Sequence, residues 1–262
     1  MTAEKMETGQ SLVLVDKRED VAYLTLNAPP VNIMTAGMMG ALQTALEEAG
    51  QDPALKAVAI SACGKAFSAG ADVGEHHPQK AKTMIGSFSR LFQAIDQLEL
   101  PLVMAVDGAA LGAGFELAMM ADVLLASQRA TFGQPEIRLG FFAPVGVAFL
   151  PALVGRAKAL EITCSGRTYS AQEMATCGLV SRVVPVEELT SSLEDILGDF
   201  RKASPLILRM NVRTLKKVQG MPFEEGRREA ERIFLTELMA TEEVLEGIAS
   251  FYEKRRPRWK NR

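Results

Sequence analysis

The sequence predicts an α/β protein in which sheets are flanked by helices. Short apolar runs of strand length alternate along the chain with longer segments whose apolar residues recur at helical spacing. Hydrophobic residues make up 48% and charged residues 23% of the 262, ordinary for a globular protein with a large core.

Taken in order, Leu12-Val13-Leu14-Val15 and Val21 to Leu26 read as a hairpin about the charged turn Lys17-Arg18-Glu19-Asp20. Ala28-Pro29-Pro30 forces an extended exit, because proline fixes φ and restricts the residue before it. Ala36 to Ala49 carries Met38, Leu42, Ala45 and Leu46 on one helical face, and Gly50 is expected to stop it. A strand, Ala57 to Ile60, follows. From Gln79 to Leu98 the residues Met84, Phe88, Leu91, Phe92 and Ile95 recur at helical spacing. Leu102 to Val106 reads as a buried strand closed by the turn pair Asp107-Gly108. Phe115 to Met120 suits a helix, and Val123 to Ala126 a short strand leading into the loop Phe132-Gly133-Gln134-Pro135-Glu136. A long uncharged run lies between Arg138 and Arg156. With Pro144, Pro151 and three glycines it is a poor membrane span and reads as buried irregular structure and helix. Past Pro144 the chain reads as largely helical, with Val180 to Val184 a late strand. Helix starts are marked by Ser204-Pro205, Met221-Pro222 and Thr241.

A net charge of −3 gives no general pull toward nucleic acid or anionic membrane, and neither is expected as a partner. Cys63, Cys164 and Cys177 have no metal-ligand spacing, and their odd number argues against a disulfide framework. The N-terminal MTAEKMETGQ lacks the apolar core of a signal peptide. A reducing cytoplasm is the expected compartment.

Chemistry concentrates between Pro101 and Glu136. Ala109, Ala110, Gly112, Ala113 and Gly114 form a run of small residues between a strand and a helix, where backbone can approach a ligand closely. Unpaired N–H groups at a helix start can hydrogen-bond a developing negative charge. Glu116 and Glu136 place two carboxylates beside such a hole, suited to moving protons while an oxyanion is held. Singly, each has a plainer role: Glu116 as a helix-dipole partner and Glu136 as an ordinary loop carboxylate. Two other chemistries fit less well. Gly112-Ala113-Gly114 starts like a dinucleotide fingerprint, but Leu117 fills the third small position and Ser127-Gln128-Arg129 replaces the ribose-binding acid. Ala66-Phe67-Ser68-Ala69-Gly70 approaches a nucleophile elbow, yet the chain's two histidines, His76 and His77, lie only a few residues on. That histidine pair reads as a solvated loop feature, with no third ligand at zinc spacing.

Three motifs in order resemble the enoyl-CoA hydratase/isomerase (crotonase) superfamily. They are Phe67-Ser68-Ala69-Gly70-Ala71-Asp72, then Ala110 to Ala118 with its Glu116-Leu117-Ala118 turn, then Phe132 to Glu136. The resemblance covers nearly the whole chain. It implies a spiral of repeated strand-strand-helix turns over about residues 1–200 and a helical trimerisation region over 201–262, with two trimers commonly stacking into a hexamer. It also implies an acyl-CoA thioester substrate held at the backbone N–H groups of Ala71 and Ala113, positions that side-chain chemistry alone would not nominate. Glu116 and Glu136 would be the catalytic carboxylates. Having both favours hydration of an enoyl-CoA, with double-bond isomerisation the nearest alternative. Non-catalytic members often lose the glutamates; this chain keeps both and lacks a basic-aromatic surface pattern. No metal or redox cofactor is implied, and coenzyme A enters as part of the substrate. Substrate contacts are expected from Ala69, Gly70, Asp72, Gly112, Phe142 and Pro144. The last nine residues, KRRPRWKNR, read as a solvated tail. The family's F-x-E-K-R segment, Phe251 to Arg255 here, instead suggests that Phe251 and Lys254 meet the CoA. Straight-chain hydratases usually continue from G-Q-P-E into a glycine-rich loop. This chain has Leu139-Gly140-Phe141-Phe142-Ala143-Pro144-Val145-Gly146-Val147, a stiffer and more apolar acyl wall. Together with Pro29-Pro30-Val31-Asn32, this is similar to hydratases of cyclic dienoyl-CoA in anaerobic aromatic-ring degradation; ordinary loop variation in a fatty-acid-type hydratase is the plainer alternative.

Overall fold

The computed structural model describes residues 11–262. The described chain opens with an antiparallel hairpin, β1 (Val13–Arg18) and β2 (Val21–Leu26), and a helix, α1 (Ala36–Gln51). A unit of two strands and a helix then recurs: β3 (Ala57–Ala62), β4 (Ala66–Ser68) and α2 (Pro78–Gln97); β5 (Leu102–Val106), β6 (Ala109–Leu111) and α3 (Ala113–Met119); β7 (Val123–Ser127), β8 (Thr131–Gly133) and α4 (Pro144–Ser165). The first strand of each unit joins one sheet, of order β1-β2-β3-β5-β7-β10, and the second joins another, of order β4-β6-β8-β9. The closing elements are β9 (Thr168–Ser170), α5 (Ala171–Thr176), β10 (Arg182–Val184) and α6 (Leu189–Arg201), then α7 (Pro205–Val218), α8 (Phe223–Thr236) and α9 (Glu242–Tyr252). This is the expected spiral of strand-strand-helix turns with a helical C-terminal region.

The larger sheet is parallel from β2 to β10, and its inner strands β3, β5 and β7 are buried on both faces, which is why they read as apolar runs. Alternate side chains go to opposite sides. Ala57, Ala59, Val103, Ala105 and Leu125 pack with Leu193 and Leu197 of α6. Val58, Ile60, Leu102, Met104 and Leu124 belong to the main core with α1, α2 and α3.

Several boundaries differ from expectation. Gly50 does not stop α1, which runs to Gln51; Gly50 is not among the glycines of positive φ, and only that conformation would let it cap. The second sheet has no counterpart among the expected strands, because its three-residue strands of mostly small residues carry no periodicity, and β9 falls in the stretch expected to be largely helical. The late strand shortens to Arg182–Val184. Between Arg138 and Arg156 lie a turn and the start of α4, which bends at Gly155.

The C-terminal helices are tied to the core by cations at helix ends, where unpaired carbonyls favour positive charge. Arg209 Nη1 donates to Gly50 O at 2.8 Å in the last turn of α1, and Nη2 donates to Asp52 O just past it. Lys216 Nζ donates to the carbonyls of Ile95, Asp96 and Leu98 at 2.9, 3.2 and 2.8 Å, closing the end of α2. The basic tail is not a free solvated arm. Buried Glu243 accepts the N–H groups of Lys260 (2.8 Å) and Asn261 (2.5 Å), and Trp259 Nε1 donates to Lys202 O at 3.1 Å. Among the described residues no helix is long and apolar enough to cross a membrane.

Candidate active site

Strands β4, β6 and β8 run parallel, so the loops that leave them emerge at one edge. These loops are Ala69-Gly70-Ala71, Gly112-Ala113 and Gln134-Pro135-Glu136. They meet at a cavity of about 400 Å³, walled by Met84, Phe88 and Phe92 of α2 and by the segment from Leu139 to Val145.

The loop after β4 is pinned from the chain's first crossover. Wholly buried Asn32 donates through Nδ2 to Cys63 O (2.7 Å) and Ala66 O (2.9 Å) and accepts at Oδ1 from Ala28 N (2.8 Å). Ala69 N donates to Val31 O and Met34 N to Gly70 O, both at 2.9 Å. The N–H of Ala71 follows, without a protein acceptor among the described residues. The N–H of Ala113 is in the same state, since the first N–H of a helix has no intrahelical partner. Gly70, at φ +101°, brings the two together: a Cβ on it would stand 3.0 Å from Leu111 O and 3.8 Å from Ala113 N. Gly112, at φ +53°, lets Glu136 in, for a Cβ there would stand 2.5 Å from Glu136 Oε1.

Glu116 is 5% exposed. Its Oε1 accepts the N–H groups of Val145 (2.8 Å) and Gly146 (2.9 Å) in the first turn of α4, while Oε2 has no protein partner among the described residues. Burial pushes its pKa up to about 7; the two N–H donors oppose the rise, and the nearby Glu136 charge adds to it. Burial also raises the pKa of half-buried Glu136. Buried Gln134, with its amide nitrogen turned toward Glu136, donates to both carboxylate oxygens at 3.2 and 2.9 Å. Two carboxyl groups with raised pKa on one cavity can hold a proton donor and a proton acceptor together near neutrality.

Residues 16–262 match the model of the enoyl-CoA hydratase/isomerase family. The chain belongs to that family. It is 36% identical over 253 residues to the probable enoyl-CoA hydratase of Mycobacterium tuberculosis, covering 95% of this chain and 98% of that protein. Identity to the cyclohexa-1,5-dienecarbonyl-CoA hydratase of Thauera aromatica is 35% over 250 residues, 95% of this chain and 96% of the relative. The crystal structure of an enoyl-CoA hydratase from Mycobacterium smegmatis superposes with a TM-score of 0.90 at 31% identity, covering 95% and 99% of the two chains.

In this member of the enoyl-CoA hydratase/isomerase family, Ala69, Gly70, Ala71, Gly112, Ala113, Glu116, Glu136, Phe142 and Pro144 all line the one cavity. Asp72 does not; it is exposed, and its Oδ1 accepts Gly74 N at 2.6 Å to cap the turn Val73–His76. Phe251, 78% exposed at the end of α9, and Lys254 just beyond it also lie outside the lining. Ser68 is wholly buried and its Oγ accepts Gly70 N at 3.2 Å, which removes it as an exposed nucleophile. His76 lines the cavity, contrary to the solvated-loop expectation, whereas His77 is exposed and caps α2. Sequence reasoning missed Asn32, Gln134 and the N–H pair of Val145 and Gly146. Gln134 stood in plain view inside the third motif, but the other two act through tertiary pairing that no local pattern encodes.

Proposed function

We propose that this protein is a hydro-lyase that adds water across the α,β double bond of an enoyl-CoA thioester. The observation that carries this is the meeting, on one largely apolar cavity, of two backbone N–H groups without an acceptor among the described residues and two glutamates of raised pKa. The thioester oxygen would sit between the N–H groups of Ala71 and Ala113, which stabilise the enolate-like charge of the transition state. Glu116, its anion steadied by two N–H donors at the start of α4, would take a proton from the attacking water through Oε2. Glu136 in its acid form would protonate the α-carbon. Coenzyme A belongs to the substrate, and this reaction requires no metal or redox cofactor.

The acyl group we infer is a compact ring such as cyclohexa-1,5-diene-1-carbonyl-CoA. Phe141, Phe142, Ala143 and Pro144 wall the cavity where a glycine-rich loop would leave it open, and one relative carries that ring in its name. The exposed apolar side chains of Phe223, Leu235, Leu245, Phe251 and Tyr252 on the last two helices support a homotrimer, or a hexamer of two trimers. The free thiols of Cys63, Cys164 and Cys177 support a cytoplasmic enzyme.

The test is incubation with cyclic and linear enoyl-CoAs and analysis of products by mass, since hydration adds water and isomerisation does not. The cyclic dienoyl-CoA is expected to show the higher kcat/KM. A tenfold advantage for crotonyl-CoA, about 1.4 kcal/mol in transition-state binding, would overturn the ring assignment.

A further inference from the structure

His76 is a polar side chain on the cavity wall, and the proposed reaction gives it no role. It ends the short turn Val73–His76 that leads into α2, and it lines the cavity shared by Glu116 and Glu136. Its ring is fixed on two sides. The face rests on Phe141, with ring centroids 4.9 Å apart and planes inclined at 37°. Nδ1 lies 3.0 Å from the carbonyl oxygen of Asp72. A carbonyl can only accept, so Nδ1 carries the proton, and in the neutral ring Nε2 is left as an acceptor. Among the described residues Nε2 has no protein partner.

We propose that His76 is a specificity-determining residue that accepts, through Nε2, a hydrogen bond from a hydroxyl group on the acyl part of the ligand. The site then favours hydroxyacyl-CoA, the kind of product that hydration forms, over the same acyl group without the hydroxyl. This rests on the acyl-CoA hydratase function proposed above. A hydroxyl is singled out over a ketone because a neutral acceptor needs a donor opposite it. A site built around such a bond discriminates strongly against ligands that leave its polar atom unpaired.

Binding of saturated, unreactive ligands isolates this from turnover. Calorimetry would compare cyclohexanecarbonyl-CoA with its 2-, 3- and 4-hydroxy derivatives and the matching ketones, on wild type, His76→Phe and His76→Gln. Phenylalanine keeps the stack on Phe141 and removes the acceptor, while glutamine restores one; thermal melts report that each variant is folded. At least one hydroxy isomer is expected to bind wild type about tenfold more tightly than the parent, with no gain for its ketone. His76→Phe should abolish that preference while holding the parent within about threefold, and His76→Gln should restore part of it. The proposal is overturned if no isomer is preferred, if the ketone gains equally, or if His76→Phe keeps the preference. Enoyl-CoA turnover by the same wild-type preparation separates the two failures. Hydration without a hydroxyl preference sinks the role of His76 alone, and absence of both binding and turnover sinks the hydratase function with it.

Discussion

Glu116→Gln should make the protein more stable at alkaline pH while disabling it. Burial holds this carboxyl near a pKa of about 7 in the fold, whereas in the unfolded chain it ionises near the ordinary glutamate value of about 4.3. Between those values the folded protein keeps a proton that the unfolded chain has released. Stability therefore falls as pH rises through that window, and the loss is complete above the folded pKa. At about 1.4 kcal/mol per pH unit, the ionised Glu116 costs the fold about 4 kcal/mol at pH 8. Glutamine retains an oxygen for the N–H groups of Val145 and Gly146 but cannot ionise. The variant should match wild type at pH 4 and exceed it at pH 8 by about 4 kcal/mol, roughly 8–16 °C in Tm for a chain of this size. Its kcat should fall by about 10²–10⁴-fold, the scale of a lost general base. Thermal melts at both pH values, at one fixed protein concentration to hold any subunit association constant, together with turnover at pH 8, make the assay. A stability gap that does not widen with pH, or near-wild-type turnover, would refute the picture of a buried carboxylate held ionised for chemistry.

Glu136→Gln should also lower kcat by about 10²–10⁴-fold with little change in Tm, since Gln134 can still hydrogen-bond the new amide; steady-state kinetics with wild-type turnover would remove Glu136 from the mechanism. Ala113→Pro deletes the N–H proposed to face the thioester oxygen at a helix position that tolerates proline. A folded variant by circular dichroism should lose at least about 10²-fold in kcat, and full activity would place the hole elsewhere. Lys216→Met removes three bonds to the carbonyls that end α2. It should cost about 2 kcal/mol in urea unfolding while leaving kcat of the folded protein unchanged.

The larger sheet was legible because β3, β5 and β7 are buried on both faces and must be apolar throughout. The smaller sheet was not, and the reason bears on the site. Strands β4, β6 and β8 are three residues each and mostly small, because backbone rather than side chain has to come close there. Gly114 shows how close: a Cβ on it would stand 2.6 Å from Ser68 Cβ. Residues that permit such an approach, Gly70, Gly112 and Gly114, look like loop when read along the chain. Only the pairing of β4 with β6 and of β6 with β8 brings Ala71, Ala113 and Glu136 to one edge. The carboxylate of Glu116 depends on pairing in the same way. Its position in the first turn of α3 is visible in the sequence, but its hydrogen bonds come from the start of another helix 29 and 30 residues away. A short side chain at the start of α4 would leave that arrangement intact, because the donors are backbone. Glu116 itself can be replaced only by a residue that reaches those donors with an oxygen. The site's chemistry is thus written in a few side chains, and its geometry in the backbone positions where side chains are nearly absent.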